Sequence, residues 1–387
     1  MKAPRWLTTP LFAFCLSRLL IFGAGLIGDT MLQTEEGHWL AAPGSPFLSM
    51  WAKWDSQSYV DIATNGYWFR PGQLSNVAFF PVYPMLMRVT APLVGGSVVL
   101  AGFILSNLAF LGALIFLYLL TEMELDTASA KRTVFYLALF PTSFFFSSVY
   151  TESTFLLLSL ATMYFARRHM WMQAALIGML SAATRNLGVL IWALVMWEWL
   201  RAQGWSLKTF HYKESWSNLW NGFRQHWFDL FIIAIIPLGL FAYMYFLKIN
   251  FERPLAFIEA QSAWGRENIG PLAVILKNVK VLMNNTLTKS WLTNFWNTST
   301  LLIFLALVPF IWIRIGEGYA IYVLIMLLVP TASATGSIIR YVITAFPAFM
   351  LLGWWGRRES VDRILVTGFA VLLGMFVTVF VNWIFVA

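Results

Sequence analysis

The chain has 387 residues, of which 59% are hydrophobic and only 11% charged, with 20 tryptophans. Side chains this apolar cannot be sorted around one water-soluble core, so the composition reads as that of an all-α polytopic membrane protein. The formal charge of +8 comes from basic residues scattered through loops, which does not point to nucleic acid as a partner and makes them topology signals instead.

Met1-Lys-Ala-Pro-Arg5, followed by about 22 apolar residues, resembles a secretory signal without a small-residue cleavage site, and is read as an uncleaved first helix. Cys15, the single cysteine, lies inside it, so neither an intrachain disulfide nor a cysteine metal cluster can form. Hydropathy predicts spans at 7–28, 97–120, 133–149, 153–166, 172–184, 187–200, 228–247, 300–313, 319–330, 341–355 and 364–385, about eleven in all. Several fall short of the roughly 20 residues of a straight crossing, and these come as neighbours: 153–166 with 172–184, and 319–330 with 341–355. Short segments joined by a polar turn at membrane depth are tolerated only where they line a protein cavity.

With the N-terminus inside, the inner loops hold 14 lysines and arginines in 62 residues, against 11 in the 137 residues of the outer loops. Arg167-Arg168, Arg357-Arg358 and Lys131-Arg132 are then lipid-headgroup contacts on the inner side. The outer face receives two long loops, 29–96 and 248–299, and three short turns at 150–153, 184–186 and 331–340. No internal repeat or interdomain linker is visible, so 1–387 is read as one domain.

The first outer loop concentrates polar groups that are costly near lipid: Lys53, Asp55 and Asp61 among Trp51, Trp54, Tyr59 and Tyr67. A helix is predicted from Asp55 to Thr64, with Asp55 or Ser56 as its cap and Asn65-Gly66 as its close. Asp55 is therefore either an N-cap or a functional carboxylate. Ala78-Phe-Phe-Pro-Val-Tyr-Pro84 has prolines three apart and is expected as an extended turn at the membrane edge, not a helix. Arg185 and Arg340 are expected at the outer ends of short helices, as lipid contacts or as ligands. Glu152 is read as a cap of the span that follows it. Residues 248–299, with Lys277, Lys280 and Lys289, read as an interfacial amphipathic segment able to cover an entry for a lipid donor. Arg18, midway through the first span, must pair inside the bundle.

An outer-loop carboxylate can take the proton of a hydroxyl attacking a sugar's anomeric carbon, and arginines can hold a phosphate leaving group that needs no proton. Asp55 with Arg185 and Arg340 fits that division of labour. His38, His169, His211 and His226 lack ligand spacing, so no metal site is expected, and no cofactor is called for. A nucleotide-binding Gly-rich loop is also absent, as is a histidine placed to activate Ser153 or Ser337.

Trp54-Asp-Ser-Gln-Ser-Tyr59 with Ile62-Ala63 and Gly66-Tyr67, Ala78–Pro84, Phe140-Pro-Thr-Ser-Phe-Phe-Phe146 with Tyr150-Thr-Glu-Ser153, Thr184-Arg-Asn-Leu-Gly188, and Arg340-Tyr341 with Phe346-Pro347 follow one another in order. This ordered set, spanning nearly the whole chain, resembles the GPI mannosyltransferase 2 (PIG-V) type, especially its shorter prokaryotic relatives, within the GT-C superfamily of membrane glycosyltransferases. The resemblance implies a GT-C-like multi-helix bundle whose first outer loop carries the acidic residue, here Asp55. It implies a polyprenyl- or dolichyl-phosphate sugar as donor and an inverting transfer of a hexose, mannose by family preference. Lys53, Arg185 and Arg340 would face the phosphate, Trp54, Tyr59 and Tyr83 would offer rings to sugar or lipid, and Asp61 would orient the acceptor or the Asp55 loop. In eukaryotes the family acts in the ER on the GPI precursor. The shorter loops here suit a prokaryotic plasma membrane, an extracytoplasmic site and another lipid, glycan or protein acceptor, with room for a partner subunit. The rival from another class is a secondary transporter or lipid flippase built around broken helices.

Overall fold

The computed structural model describes residues 4–32, 38–265, 268–284 and 287–386. The first span is α1 (Arg5–Met31), followed by the short α2 (Pro46–Met50), α3 (Ser56–Asn65) and α4 (Val82–Thr90). Then come α5 (Val98–Glu124), α6 (Thr127–Leu139), α7 (Glu152–Arg167), α8 (Trp171–Ala182) and α9 (Ile191–Ala202). The second half holds α10 (Lys213–Ile233), α11 (Leu238–Phe251), α12 (Ala256–Glu259), α13 (Pro271–Asn284), α14 (Lys289–Arg314) and α15 (Glu317–Thr331). It ends with α16 (Ile338–Tyr341), α17 (Phe346–Trp355) and α18 (Glu359–Val381).

Among the described residues, five segments are long and apolar enough to cross a membrane: α1, α5, α10 with α11, α14 and α18. They become six if residues 338–344 and 346–355, bent by 76°, count as one broken span. The eleven spans expected from hydropathy are therefore an overcount. The runs at 133–149, 153–166, 172–184, 187–200 and 319–330 are apolar for another reason: α6 to α9 and α15 are 12 to 16 residues long, with α7, α8, α9 and α15 packed against one another and α6 against α5 and α17. A hydrophobic run of that length is better explained by burial in protein than by contact with lipid.

α1 lies against α18, and α5 packs along α6 and α7. Lipid tails are as apolar as leucine, so close packing and interior hydrogen bonds must hold such helices together. At Gly28 of α1 an added Cβ would meet the Thr378 backbone of α18 at 2.9 Å, an approach only glycine permits. Arg18 finds partners in the break between α6 and α7 and on α5: Nη1 donates to Ser147 Oγ at 2.6 Å and the guanidinium lies 4.7 Å from the Phe110 ring of α5. That break, residues 140–151, is buried throughout, and non-helical backbone survives there because its polar groups are taken up internally. Ser153 Oγ donates to Phe146 O at 2.8 Å, Val149 N to Trp51 O at 2.9 Å.

The Ala78–Pro84 block is not an extended turn. After a 3-10 turn at Asn76–Ala78, α4 begins at Val82, with Pro81 before it and Pro84 in its first turn. A first-turn residue has no intrahelical partner for its N–H, so proline costs nothing there. Nor is 248–299 one interfacial segment: α12 and a 3-10 turn at 260–264 fold inward, α13 is amphipathic, and α14 starts at Lys289. Asn297, which with Thr298 and Ser299 forms an Asn-x-Ser/Thr glycosylation match, is buried in α14.

Candidate active site

The elements predicted to share one face meet around a cavity of about 700 Å³. Its walls come from the start of α3, the 3-10 turn before α4, the start of α7, the turn after α8, α16, the 3-10 turn after α12, and the C-terminal Trp383 and Phe385. One tie between these blocks is Val82 N, which donates to Ala183 O at 3.2 Å and so fixes the proline segment beside Thr184-Arg185.

Asp55 occupies the N-cap position of α3, yet its side chain makes no capping bond. The carboxylate reaches across to α16, where Arg340 Nη1 donates to Oδ2 at 2.7 Å. Trp54 before it has φ 55°, a left-handed conformation that a bulky residue adopts at a cost of about 1–3 kcal/mol. What holds it is Tyr150: its hydroxyl donates to Lys53 O at 3.0 Å and accepts from Asp55 N at 3.2 Å, so one oxygen clamps the backbone on both sides of Trp54. The Trp54 ring packs on Trp383 and Phe385.

Arg340 is equally fixed. α16 opens from Ser337 at φ 70°, and Ile339 is held from both sides: its N–H donates to Asn297 Oδ1 at 3.1 Å and its carbonyl accepts from Thr142 Oγ1 at 2.7 Å. The guanidinium sits 5.3 to 5.6 Å from the rings of Phe145, Tyr150 and Tyr341. Arg185 approaches from the turn between α8 and the 3-10 segment Asn186–Leu190, its guanidinium 5.0 Å from the Tyr341 ring. Gly188 allows that turn, because a Cβ would sit 1.9 Å from Ser181 O.

Glu152 links the two arginines. Its Oε1 accepts from Arg185 Nη1 at 2.9 Å and lies 3.4 Å from Arg340 Nε. The expected capping role is therefore replaced by an ionic one. The four charges alternate as Asp55, Arg340, Glu152, Arg185, and they cancel. Asp55 is the most accessible of them, its side chain 31% exposed against 7% for Arg340, 12% for Arg185 and 1% for Glu152.

Of the other residues singled out in the sequence, Trp54 and Tyr59 line the cavity. Tyr59 is buried, hydrogen-bonded to Thr151 Oγ1 at 3.1 Å, and its phenol is pushed up by burial and then by nearby Glu152, so it stays protonated. Asp61 lies outside this cavity, in an adjoining polar one. It accepts from Trp68 Nε1 at 2.7 Å and Asn76 Nδ2 at 2.9 Å, tying the loop that walls the cavity to α3. Burial raises its carboxyl, but bonds from Asn65, Trp68 and Asn76 outweigh that and leave it below the usual range.

Lys53 and Tyr83 are not in the cavity wall. The Lys53 ammonium is buried 4.9 Å from the Trp383 ring, and burial, partly offset by Asp29, lowers it to about 8. Tyr83 lies in the core with its hydroxyl bonded to Gly102 O and Ser106 Oγ. Gln261 and Trp264, in the outer segment 248–299, and Trp383 and Phe385, at the end of the last predicted span, line the cavity without any signal in the sequence beyond an aromatic ring or an amide.

Among the described residues no three His, Cys, Asp or Glu side chains gather at metal-binding distance. A further, smaller cavity of about 250 Å³ lies at the far end of α7, roughly 22 Å along the helix at about 1.5 Å per residue. There Arg167 pairs with Glu124 and Glu198, and Arg201 with Glu198, so Arg167 is an interior ion pair and not the expected headgroup contact.

The family model described as Mannosyltransferase (PIG-V) matches residues 45–248, just over half of the chain and including Asp55, Glu152 and Arg185. No curated protein matches. Among solved structures, ArnT from Cupriavidus metallidurans bound to undecaprenyl phosphate is 11% identical, with 96% of this chain and 75% of that one covered, at a TM-score of 0.53. The Archaeoglobus fulgidus oligosaccharyltransferase AglB, in complex with an inhibitory peptide and a dolichol-phosphate, is 12% identical at a TM-score of 0.43, and this chain covers 55% of its length. At such identity the ArnT match speaks for a shared fold. Family match and fold agree: the chain belongs to the Mannosyltransferase (PIG-V) family and is a membrane glycosyltransferase of the GT-C superfamily.

Proposed function

We propose that this protein transfers a hexose, mannose by family, from a polyprenyl-phosphate donor to the hydroxyl of a lipid, glycan or protein acceptor, with inversion. The whole of 1–387 acts as one domain, in a prokaryotic plasma membrane with the cavity on the extracytoplasmic side. Asp55 is the general base. It takes the acceptor's proton as the oxygen bonds to the anomeric carbon and the bond to phosphate breaks. Arg185 and Arg340 hold the phosphate, which leaves without needing a proton. Trp54 and Tyr59 offer ring surface to the sugar or the lipid.

A single observation carries the reading: the Asp55 carboxylate turns away from its own helix end and meets Arg340 at 2.7 Å, 285 residues on, in a cavity that also holds Arg185. A carboxylate serving only as a cap would accept from the first-turn amides of α3. ArnT, whose fold is similar, was solved with undecaprenyl phosphate, the lipid carrier of a donor of the proposed class. Trp264 and Gln261 suit the proposed cover over the donor's entry, since both border the cavity.

The test is sugar transfer in membranes from radiolabelled polyprenyl-phosphate mannose, with Asp55→Asn compared at equal expression. Transfer falls by about 10²–10⁴ while donor binding persists if Asp55 is the base. Undiminished transfer by the variant would remove Asp55 from the chemistry. If no label moves with the wild-type chain, the donor assignment is wrong.

A further inference from the structure

We propose that Glu152 is a positioning residue, a fixed counter-charge that competes with phosphate for Arg185 and Arg340 and thereby lets the spent lipid phosphate leave. The inference rests on the reading of the cavity as a polyprenyl-phosphate site. Its ground is the geometry of the buried carboxylate. Glu152 stands at the first residue of α7, 1% exposed, with Oε1 2.9 Å from Arg185 Nη1 and 3.4 Å from Arg340 Nε. Its Oε2 is buried and accepts no hydrogen bond from any described residue. Arg340 Nε likewise makes no well-aligned hydrogen bond. An ion pair satisfied on one side only is a poor stabilising device, because the desolvation of each charge is not fully repaid. It is, however, what an exchangeable partner looks like.

The charge balance of the reaction gives that partner a task. The donor phosphate is a diester with one negative charge. Transfer forms the bond from acceptor oxygen to anomeric carbon, breaks the bond from that carbon to the phosphate oxygen, and moves the acceptor's proton to Asp55. What remains is a phosphate monoester, whose second ionisation lies near 6 and which therefore carries close to two negative charges at neutral pH. Two arginines without a counter-charge would hold this product more tightly than the substrate, and release would limit turnover. Glu152 offers both guanidiniums a resident anion to return to. Asp55 cannot do this alone, since Arg185 is paired to Glu152 and not to Asp55.

The experiment measures kcat, the KM for the donor, and inhibition by undecaprenyl phosphate in reconstituted full-length protein. Glu152→Gln, close in shape but uncharged, is expected to bind undecaprenyl phosphate at least about ten-fold more tightly, with donor KM and kcat both lowered. Glu152→Asp is expected to move all three back toward wild type. A Gln variant with unchanged product inhibition, or one that loses donor affinity, overturns the proposal and leaves Glu152 as scaffold. Should Glu152→Gln fail to accumulate, Glu152→Gln combined with Arg185→Gln keeps the balance of charge. Product inhibition near the wild-type value then supports the counter-charge, and an additive loss of donor and product binding overturns it. Failure of the underlying reading is distinct: the wild-type chain itself would show no inhibition by undecaprenyl phosphate, and the proposal would fall with it.

Discussion

Replacing Tyr150 by phenylalanine removes one oxygen and leaves the ring, which packs against Phe145 and Tyr59, in place. That oxygen makes the two hydrogen bonds that flank Trp54, to Lys53 O at 3.0 Å and from Asp55 N at 3.2 Å. Losing it leaves a carbonyl and an amide beside a buried ring without their partner, at about 1–3 kcal/mol each. The segment then relaxes instead of bearing that cost. Relaxation is favoured further because Trp54 is held at φ 55° against its own preference. The relaxation shifts Asp55, the proposed general base, and a displacement near 1 Å can cost about 10²-fold in rate. We expect kcat for sugar transfer to fall about 10- to 100-fold, with donor KM changed little, since Arg185 and Arg340 are anchored elsewhere. The assay is steady-state transfer with the protein in nanodiscs, paired with a thermal melt showing that the variant is folded. A folded variant within two-fold of wild-type kcat would refute the idea that Tyr150 sets the position of Asp55.

Two further predictions follow from the same geometry. Arg340→Lys keeps the charge but cannot reach Asp55 and Glu152 at once from a single ammonium, so transfer should drop by at least about ten-fold, read as kcat/KM for the donor. Lys53→Met should stabilise the protein near pH 7, because burial holds the lysine at about 8 against its ordinary 10.5. Between those values the unfolded chain binds the proton and the folded one does not, so wild-type stability rises with pH there. The gap in melting temperature between variant and wild type should therefore be widest below pH 8 and narrow toward pH 10.5. A gap that widens with pH would contradict the burial argument.

How much of this could be read in the chain depends on where each polar group finds its partner. Asp55, Arg185 and Arg340 were legible because a charge is expensive beside lipid and three of them fell on one predicted face. The distinction between cap and functional carboxylate was not, since it turns on a contact between residues 55 and 340. Glu152 was misread for the matching reason: an acidic first-turn residue suits a helix start whatever else it does, and only the approach of α8 and α16 reveals its partners.

Tyr83 and Lys53 are the opposite case, since neither lines the cavity. Both stand inside a motif-rich loop, but Tyr83 is claimed by α5 through Gly102 and Ser106, and Lys53 turns behind the loop toward Trp383. The span count failed because hydropathy measures removal from water and does not distinguish lipid from protein. α7 makes the point most directly. Its sequence has the apolar content of a membrane helix, its 16 residues are mostly enclosed by α5, α8 and α9, and one end holds Glu152 while the other holds Arg167. Two buried ion pairs about 22 Å apart on one short helix need other helices around them, and that requirement makes α7 an interior support of the site, with Glu152 delivered to the cavity at its end.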